Sequence, residues 1–204
     1  MTNLTKNNQH GRSMIEMLGV LAIIGVLSVG GISGYSKAMA KFKLTKAQDQ
    51  ISMLLMNIRT AFATSPSYDG LTTKSSREYN IAPGDMFGAA NSLNNAFGGK
   101  AYVYSCASNE SIACPTGSDT VQYFAISLTD LGREACVSLA SSDWGTDGLI
   151  GMIVTPSGGT PTTNYAKDLP LTPMGNGSAG TAGAGAGNQC GSKGVYNTIT
   201  WIYY

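Results

Sequence analysis

The chain has 204 residues, 43% of them hydrophobic and 12% charged, about half the ~25% usual for soluble domains. That balance argues against intrinsic disorder, and a net charge of +1 gives no global basic field for nucleic acid. The single histidine, His10, excludes a histidine-based triad or a histidine-rich metal site in the folded part, and the 26 glycines keep no three-residue period, which excludes collagen.

From Met17 to Ser36 the chain reads MLGVLAIIGVLSVGGISGYS, 20 residues without a charge. A helix needs about 20 residues to cross a bilayer. A buried core helix and a cleaved secretory signal are the alternatives. The run is long and apolar on all faces, which speaks against the first. The helical pattern continues beyond it, without a proline before Pro66, which speaks against the second. In the continuation, Leu44, Ile51 and Ile58 fall seven apart, and Ala47, Leu54 and Ala61 form a second row. This is an a/d-type seam. One helix is therefore expected from about Ser13 to Ala63, half membrane span and half amphipathic stem. Glu16 breaks the apolar pattern at its start. A carboxylate at membrane depth costs ~2.5–3.5 kcal/mol on insertion scales, so Glu16 is either an interfacial residue or a functional one.

Residues 65–204 form a block of single-domain size. SPSYDG and APGD mark a turn-rich connection with a short helix about Gly84–Phe97. Strands are expected at 101–105, 120–128, 148–155 and 197–204. Between the second and third, residues 130–142 suit an amphipathic helix through Leu131, Ala135, Val137 and Leu139, with Thr129 as N-cap. The fold class is α+β: a long N-terminal α-helix packed on a C-terminal antiparallel β-sheet head, with the stem seam on the sheet's apolar face.

Cys106, Cys114, Cys136 and Cys190 all follow the apolar run. An even count after a membrane span reads as a disulfide framework in an oxidising compartment. No CxxC pair is present, and spacings of 8, 22 and 54 suit zinc poorly. Three connectivities are open. The favoured one joins Cys106 to Cys114 across a short loop and Cys136 to Cys190 across about 55 residues, the latter worth roughly 4 kcal/mol on the chain-entropy model. Within the second loop, GNGSAGTAGAGAGN at 175–188 reads as flexible coil, either a tolerated surface insertion or a packing surface.

Residues 12–64 carry a net +4 and residues 65–204 a net −4. This asymmetry is either ordinary solvated surface or an attraction between basic stems and acidic heads in a packed assembly, which screening over ~8–10 Å limits to close neighbours. Chemistry is poorly supported. Asp143 and Asp147 flank Trp144 and Gly145 without the oxygen density of a calcium loop. GAGAGN is not a GxGxxG turn. No enzyme activity, cofactor or metal is expected.

The run GRSMIEMLGVLAIIGVLSVGGISGYSKA resembles the class III signal of type IV pilins, through its glycine, the glutamate five residues on and the uninterrupted apolar stretch. The resemblance implies that a prepilin peptidase cuts between Gly11 and Arg12, and that Glu16 pairs with the free amine of Arg12 on a neighbouring subunit during assembly. A buried charge is tolerable when paired and strongly unfavourable once its partner is lost. Mature chains of the family usually begin with Phe, Met or another apolar residue, so Arg12 leaves N-methylation open. Many carry a helix-kinking proline near Ser33. Gly30, Gly31 and Gly34 surround that position here, each costing ~1 kcal/mol against alanine, and mark an expected soft spot. Lys37, Lys41, Lys43 and Lys46 follow the span, while Lys6 and Arg12 precede it. The resemblance, rather than the charge count, places the leader in the cytoplasm.

The run LTDLGREACVSLASSDWG and the ending CGSKGVYNTITWIYY are similar to the type IVb subgroup, including bundle-forming and conjugative thin-pilus subunits, for which an 11-residue leader is short. The implied organisation is a leader over 1–11, a transmembrane or filament-core helix over 12–36, a stem over 37–64 and a periplasmic or extracellular head over 65–204. In it, 136–190 is the disulfide-bounded D-region. The implied function is that of a pilus subunit, single-pass in the inner membrane before assembly and then part of an extracellular filament. Its partners would be copies of itself, the prepilin peptidase and the inner-membrane assembly machinery. A head counting −4 is not expected to bind nucleic acid. The alternatives are a minor pilin or type II secretion pseudopilin, and a membrane-anchored adhesion or binding module.

Overall fold

A chain stretch without proline and rich in Ala, Leu, Met, Lys and Gln favours continuous helix. In the computed structural model it forms α1, Met14–Ala61. The structure describes residues 14–106, 122–145, 147–165, 169–173, 185–192 and 194–204. The chain divides into two compact units, Met1–Lys41 and Phe42–Tyr204.

In the first unit, α1 passes through Gly30, Gly31 and Gly34 as helix. Its apolar side chains, among them Leu18, Ile23, Val26 and Ile32, are exposed, and it is long and apolar enough to cross a membrane. Ser36 Oγ donates to the Ile32 carbonyl at 2.9 Å, an i−4 back-bond within the helix.

In the second unit, the stem part of α1 buries Ala47, Gln50, Ile51, Leu54 and Ile58. Leu44 packs at the margin of the same core. The expected second row fails at Ala61, which is exposed, while Phe62 packs against the core instead. A straight α-helix drifts ~20° per heptad from a strict seven-residue repeat, so the third member of the row rotates off the seam.

The segment after α1 is short and polar. α2, Thr73–Glu78, starts at a capping box: Ser75 N donates to Thr72 Oγ1 at 3.0 Å, and Thr72 N donates to Ser75 Oγ at 2.8 Å. The helix expected about Gly84–Phe97 is not formed. That stretch holds a 3₁₀ turn at Gly84–Met86 and strand β1, Leu93–Asn94. Its Gly, Asn and Ser residues favour turns over helix interiors.

The remaining strands are β2 (Lys100–Ser105), β3 (Phe124–Leu131), β4 (Leu149–Pro156), β5 (Thr162–Tyr165) and β6 (Asn197–Tyr203). They form one antiparallel sheet in the order β1-β2-β3-β6-β4-β5. Residues 120 and 121 of the strand expected at 120–128 lie outside the described residues. That strand begins at Phe124 and runs three residues further than expected. Thr129 is therefore not a helix cap. It lies in β3, where its Oγ1 accepts from Lys100 N at 3.0 Å. A register shift between Leu128 and Leu131, with Asp130 at φ 58°, bulges the strand there. Gly99 faces the bulge, and a Cβ at that position would collide with the Thr129 carbonyl. α3, Arg133–Ala140, starts after Gly132 without a side-chain cap and buries Cys136, Leu139 and Ala140.

Alternation along the strands sends Val103, Phe124, Ile126, Leu128, Met152, Val154, Ile199, Trp201 and Tyr203 into the core that the stem seam covers. A smaller cluster of Tyr104, Cys106, Ala125, Ile153 and Ile202 forms separately.

Candidate functional site

The N-terminal site is only partly visible. Gly11 and Arg12, the expected cleavage pair, lie outside the described residues. Glu16 stands in the first turn of α1. The unpaired backbone N–H groups there carry partial positive charge, so a carboxylate is favoured at this end of the helix.

The C-terminal part of the head is built around one cross-link. Cys136 on α3 is bonded to Cys190, 54 residues on, with Cα atoms 6.0 Å apart. This is the expected second pairing. The first fell on Cys106 and Cys114: Cys106 is disulfide-bonded, and Cys114 lies outside the described residues. The glycine-rich stretch at 175–188 also lies mostly outside them. Its final residues enter α4, Ala186–Gln189.

A helix of four residues is too short to hold itself in place. Ala186 N and Gly187 N donate to the carbonyls of Thr172 (2.9 Å) and Pro173 (3.1 Å). Arg133 spans the following turn. Its Nη1 donates to the Cys190 and Gly191 carbonyls at 2.7 and 3.0 Å, and its Nη2 donates to the Gly187 carbonyl at 2.7 Å. Gln189 and Asn164 of β5 exchange amide hydrogen bonds. Asn197 of β6 accepts from Gly191 N at 2.7 Å and donates to the Leu131 carbonyl at 3.1 Å. α4 is thus fastened to α3, β5 and β6 at once. Sequence reasoning missed Arg133, Asn164, Gln189 and Asn197. Only a basic residue three positions before Cys136 hinted at any of them.

A groove of about 600 Å³ runs beside the stem, lined by Ile51, Leu55 and Met56 with Arg59, Trp144 and Tyr203. Arg59 Nη2 donates to the Asp147 carbonyl at 2.6 Å and its guanidinium lies 5.8 Å from the Tyr203 ring centre. Burial pushes the Tyr203 phenol well above its ordinary pKa, against the lowering effect of Arg59. Trp144 meets Trp201 edge-on at 4.9 Å and donates its Nε1 to the Leu139 carbonyl. Asp143 Oδ1 accepts from Gly145 N, closing the turn. Among the described residues no cluster of His, Cys, Asp or Glu could hold a metal ion.

A second arginine, Arg77 of α2, donates to the carbonyls of Gly88 and Ala90, and to Ser92 at 3.4 Å, and its guanidinium sits 5.0 Å from the Phe87 ring centre. It fastens the connecting loop as Arg133 fastens α4.

An apolar N-terminal helix, a stem seam under an antiparallel sheet and a cross-linked C-terminal region are the features expected of a type IVb-like pilin. The chain belongs to the PilS N-terminal family, whose model matches residues 42–202. The "major structural subunit of bundle-forming pilus" of Escherichia coli O127:H6 (strain E2348/69 / EPEC) is 25% identical over 207 residues, covering 98% of this chain and 96% of that one. The protein of the same description from Escherichia coli O111:H- is 26% identical over 144 residues, 70% of this chain and 69% of the other. Among solved structures, TcpA, a type IV pilin from Vibrio cholerae El Tor biotype, is 14% identical with a TM-score of 0.47, covering 79% of this chain and 99% of that one. The type IV b pilin from Salmonella typhi is 20% identical with a TM-score of 0.48, covering 80% and 98%.

Proposed function

We propose that the chain is the major structural subunit of a type IVb-like pilus, made as a precursor and polymerised through α1. The observation that carries this reading is the pairing of a family match over 42–202 with an exposed apolar helix preceding it. Prepilin peptidase cuts between Gly11 and Arg12 while α1 spans the inner membrane. Oxidation outside the cytoplasm closes the disulfides. The inner-membrane assembly machinery then draws subunits into a filament whose core is the apolar helices over 12–36 and whose surface is the heads over 65–204. Glu16 pairs with the Arg12 amine of a neighbouring copy, which removes the penalty of an unpaired charge in apolar surroundings. Gly30, Gly31 and Gly34 let the helix bend or melt locally as it packs. The basic stem and the acidic head attract between neighbours.

The test is the intact mass of protein in sheared surface filaments, with and without reductant. An abundant species spanning 12–204, lighter before reduction by the hydrogens of two disulfides, supports the reading. Absence from filaments with presence in membranes points to a minor pilin or pseudopilin, and an uncleaved chain points to a membrane anchor.

A further inference from the structure

Four cysteines offer three pairings, and Cys136–Cys190 is not the shortest closure open to Cys136. Their closure spans 54 residues, while Cys114 lies 22 residues before Cys136. Loop closure scales as the −3/2 power of length, so as a single bond the longer closure is disfavoured roughly fourfold against Cys114–Cys136 in an unfolded chain, although it is the closure left once Cys106 pairs with Cys114. The glycine-rich stretch at 175–188 adds chain freedom that has to be lost. In whatever order the bonds close, Cys190 has to be held beside Cys136 across 54 residues.

We propose that Arg133 is the positioning residue that selects the Cys136–Cys190 disulfide, by holding the main chain of Cys190 one turn of α3 away from Cys136. Positions i and i+3 share a helix face, so Arg133 and Cys136 present to the same neighbour. The guanidinium grips that neighbour at three carbonyls, those of Gly187, Cys190 and Gly191. One of them belongs to the very residue whose sulfur is cross-linked. No cysteine chemistry is needed for the grip, so it operates on the dithiol form. A planar five-donor fork suits several carbonyls at once, which a lysine ammonium cannot match.

The oxidation itself balances by exchange with a low-molecular-weight disulfide. One cysteine thiolate attacks that disulfide, forming a mixed disulfide and releasing one thiol. The other cysteine thiolate attacks the protein sulfur and releases the second thiol. The two protein thiols lose two electrons and two protons, and one external disulfide becomes two thiols. Arg133 takes part in neither transfer. It raises the effective concentration of one protein sulfur at the other.

The experiment uses the full chain, reduced in detergent micelles and equilibrated with a reduced and oxidised glutathione couple. Proteolytic mass spectrometry reads the pairings and the Cys136–Cys190 equilibrium constant. Arg133→Ala is expected to lower that constant roughly tenfold, as losing charge-assisted hydrogen bonds implies, and to raise the share of non-native pairings. Arg133→Lys should recover only part of the loss. Arg77→Ala is the control, because Arg77 makes an equivalent three-carbonyl clamp on Gly88, Ala90 and Ser92 away from the disulfide. It should leave the constant unchanged. An Arg133→Ala constant equal to wild type overturns the proposal, and so does an equal fall in Arg77→Ala, which would show a loss of general stability instead. The readout needs no filament, so its outcome is independent of whether the chain polymerises.

Discussion

Asn164 and Gln189 face each other as a reciprocal amide pair, each Nδ2 or Nε2 donating to the other's carbonyl oxygen at 2.7 Å. Neither residue is exposed by more than 2%. The pair ties β5, an edge strand, to α4 across 25 residues of chain. A buried polar pair is neutral to stability when complete and costly when halved.

Asn164→Ala and Gln189→Ala should therefore each destabilise the head by about 1–3 kcal/mol. The double variant should lose less than the sum, because the second change removes the partner the first one stranded. Urea denaturation of the four proteins gives the cycle. An additive result would show that the two amides do not depend on each other.

The stem seam makes an unequal pair of neighbours. Ile51 is fully buried and Met53 is 58% exposed. Ile51→Ala should cost about 2–5 kcal/mol, whereas Met53→Ala should stay within about 0.5 kcal/mol. Urea midpoints of the two variants at equal m-value check this.

Replacing Cys136 and Cys190 by alanine reopens a 54-residue loop. The chain-entropy model assigns roughly 4 kcal/mol to that closure. Thermal unfolding should show a lower midpoint for the double variant, and reductant should lower the wild type towards it without moving the variant by as much.

Asp85 gives the head an acid-side slope. Partial burial pushes its carboxyl pKa upward, but a hydrogen bond from Gln50 Nε2 at 2.9 Å and the Lys46 ammonium at 3.2 Å outweigh that and hold it below the ordinary carboxylate value. A depressed folded-state pKa means the contribution is full above the unfolded value, about 3.9, and is lost as pH falls through the folded value below it. The side chain is 44% exposed, so screening keeps the effect under about 1 kcal/mol. Asp85→Asn should flatten the fall in urea midpoint below pH 4 and leave the remainder of the profile in place.

Glu16→Ala bears on assembly. The variant should be processed and inserted, yet yield few sheared filaments, because in the proposed pairing the neighbour's amine would lose its carboxylate. Quantifying subunits in the sheared and membrane fractions checks this. Filaments at the wild-type level would remove the proposed role of Glu16.

Much of the fold was legible because its signals are long-range averages. The 20-residue apolar run, the seam at Leu44, Ile51 and Ile58, and four strands rich in β-branched and aromatic residues are all present, the second strand displaced to 124–131. Single positions were less legible. Ala61 fits the seven-residue spacing but rotates off the seam. Thr129 has the chemistry of a helix cap, yet the Leu128–Leu131 bulge extends β3 past it. β1 has two residues and β5 reads TTNY, too short or too polar to show a period. The fasteners of α4 were invisible because pattern reading expects apolar residues inside. Asn164, Gln189 and Asn197 are buried for hydrogen bonds made only after the strands pair.

β6 holds a peculiar place in the sheet. It pairs with β3 on one side and β4 on the other, and β3 and β4 are not neighbours. Without it, the β1-β2-β3 meander and the β4-β5 hairpin share no strand pairing. Both of those pieces close over short stretches of chain, while Ile126↔Trp201 and its neighbours join residues about 75 positions apart. Distant pairings of this kind raise contact order and slow folding. Until β6 docks, the β3 and β4 edges that it covers are unpaired, and each is an open template for pairing with another chain.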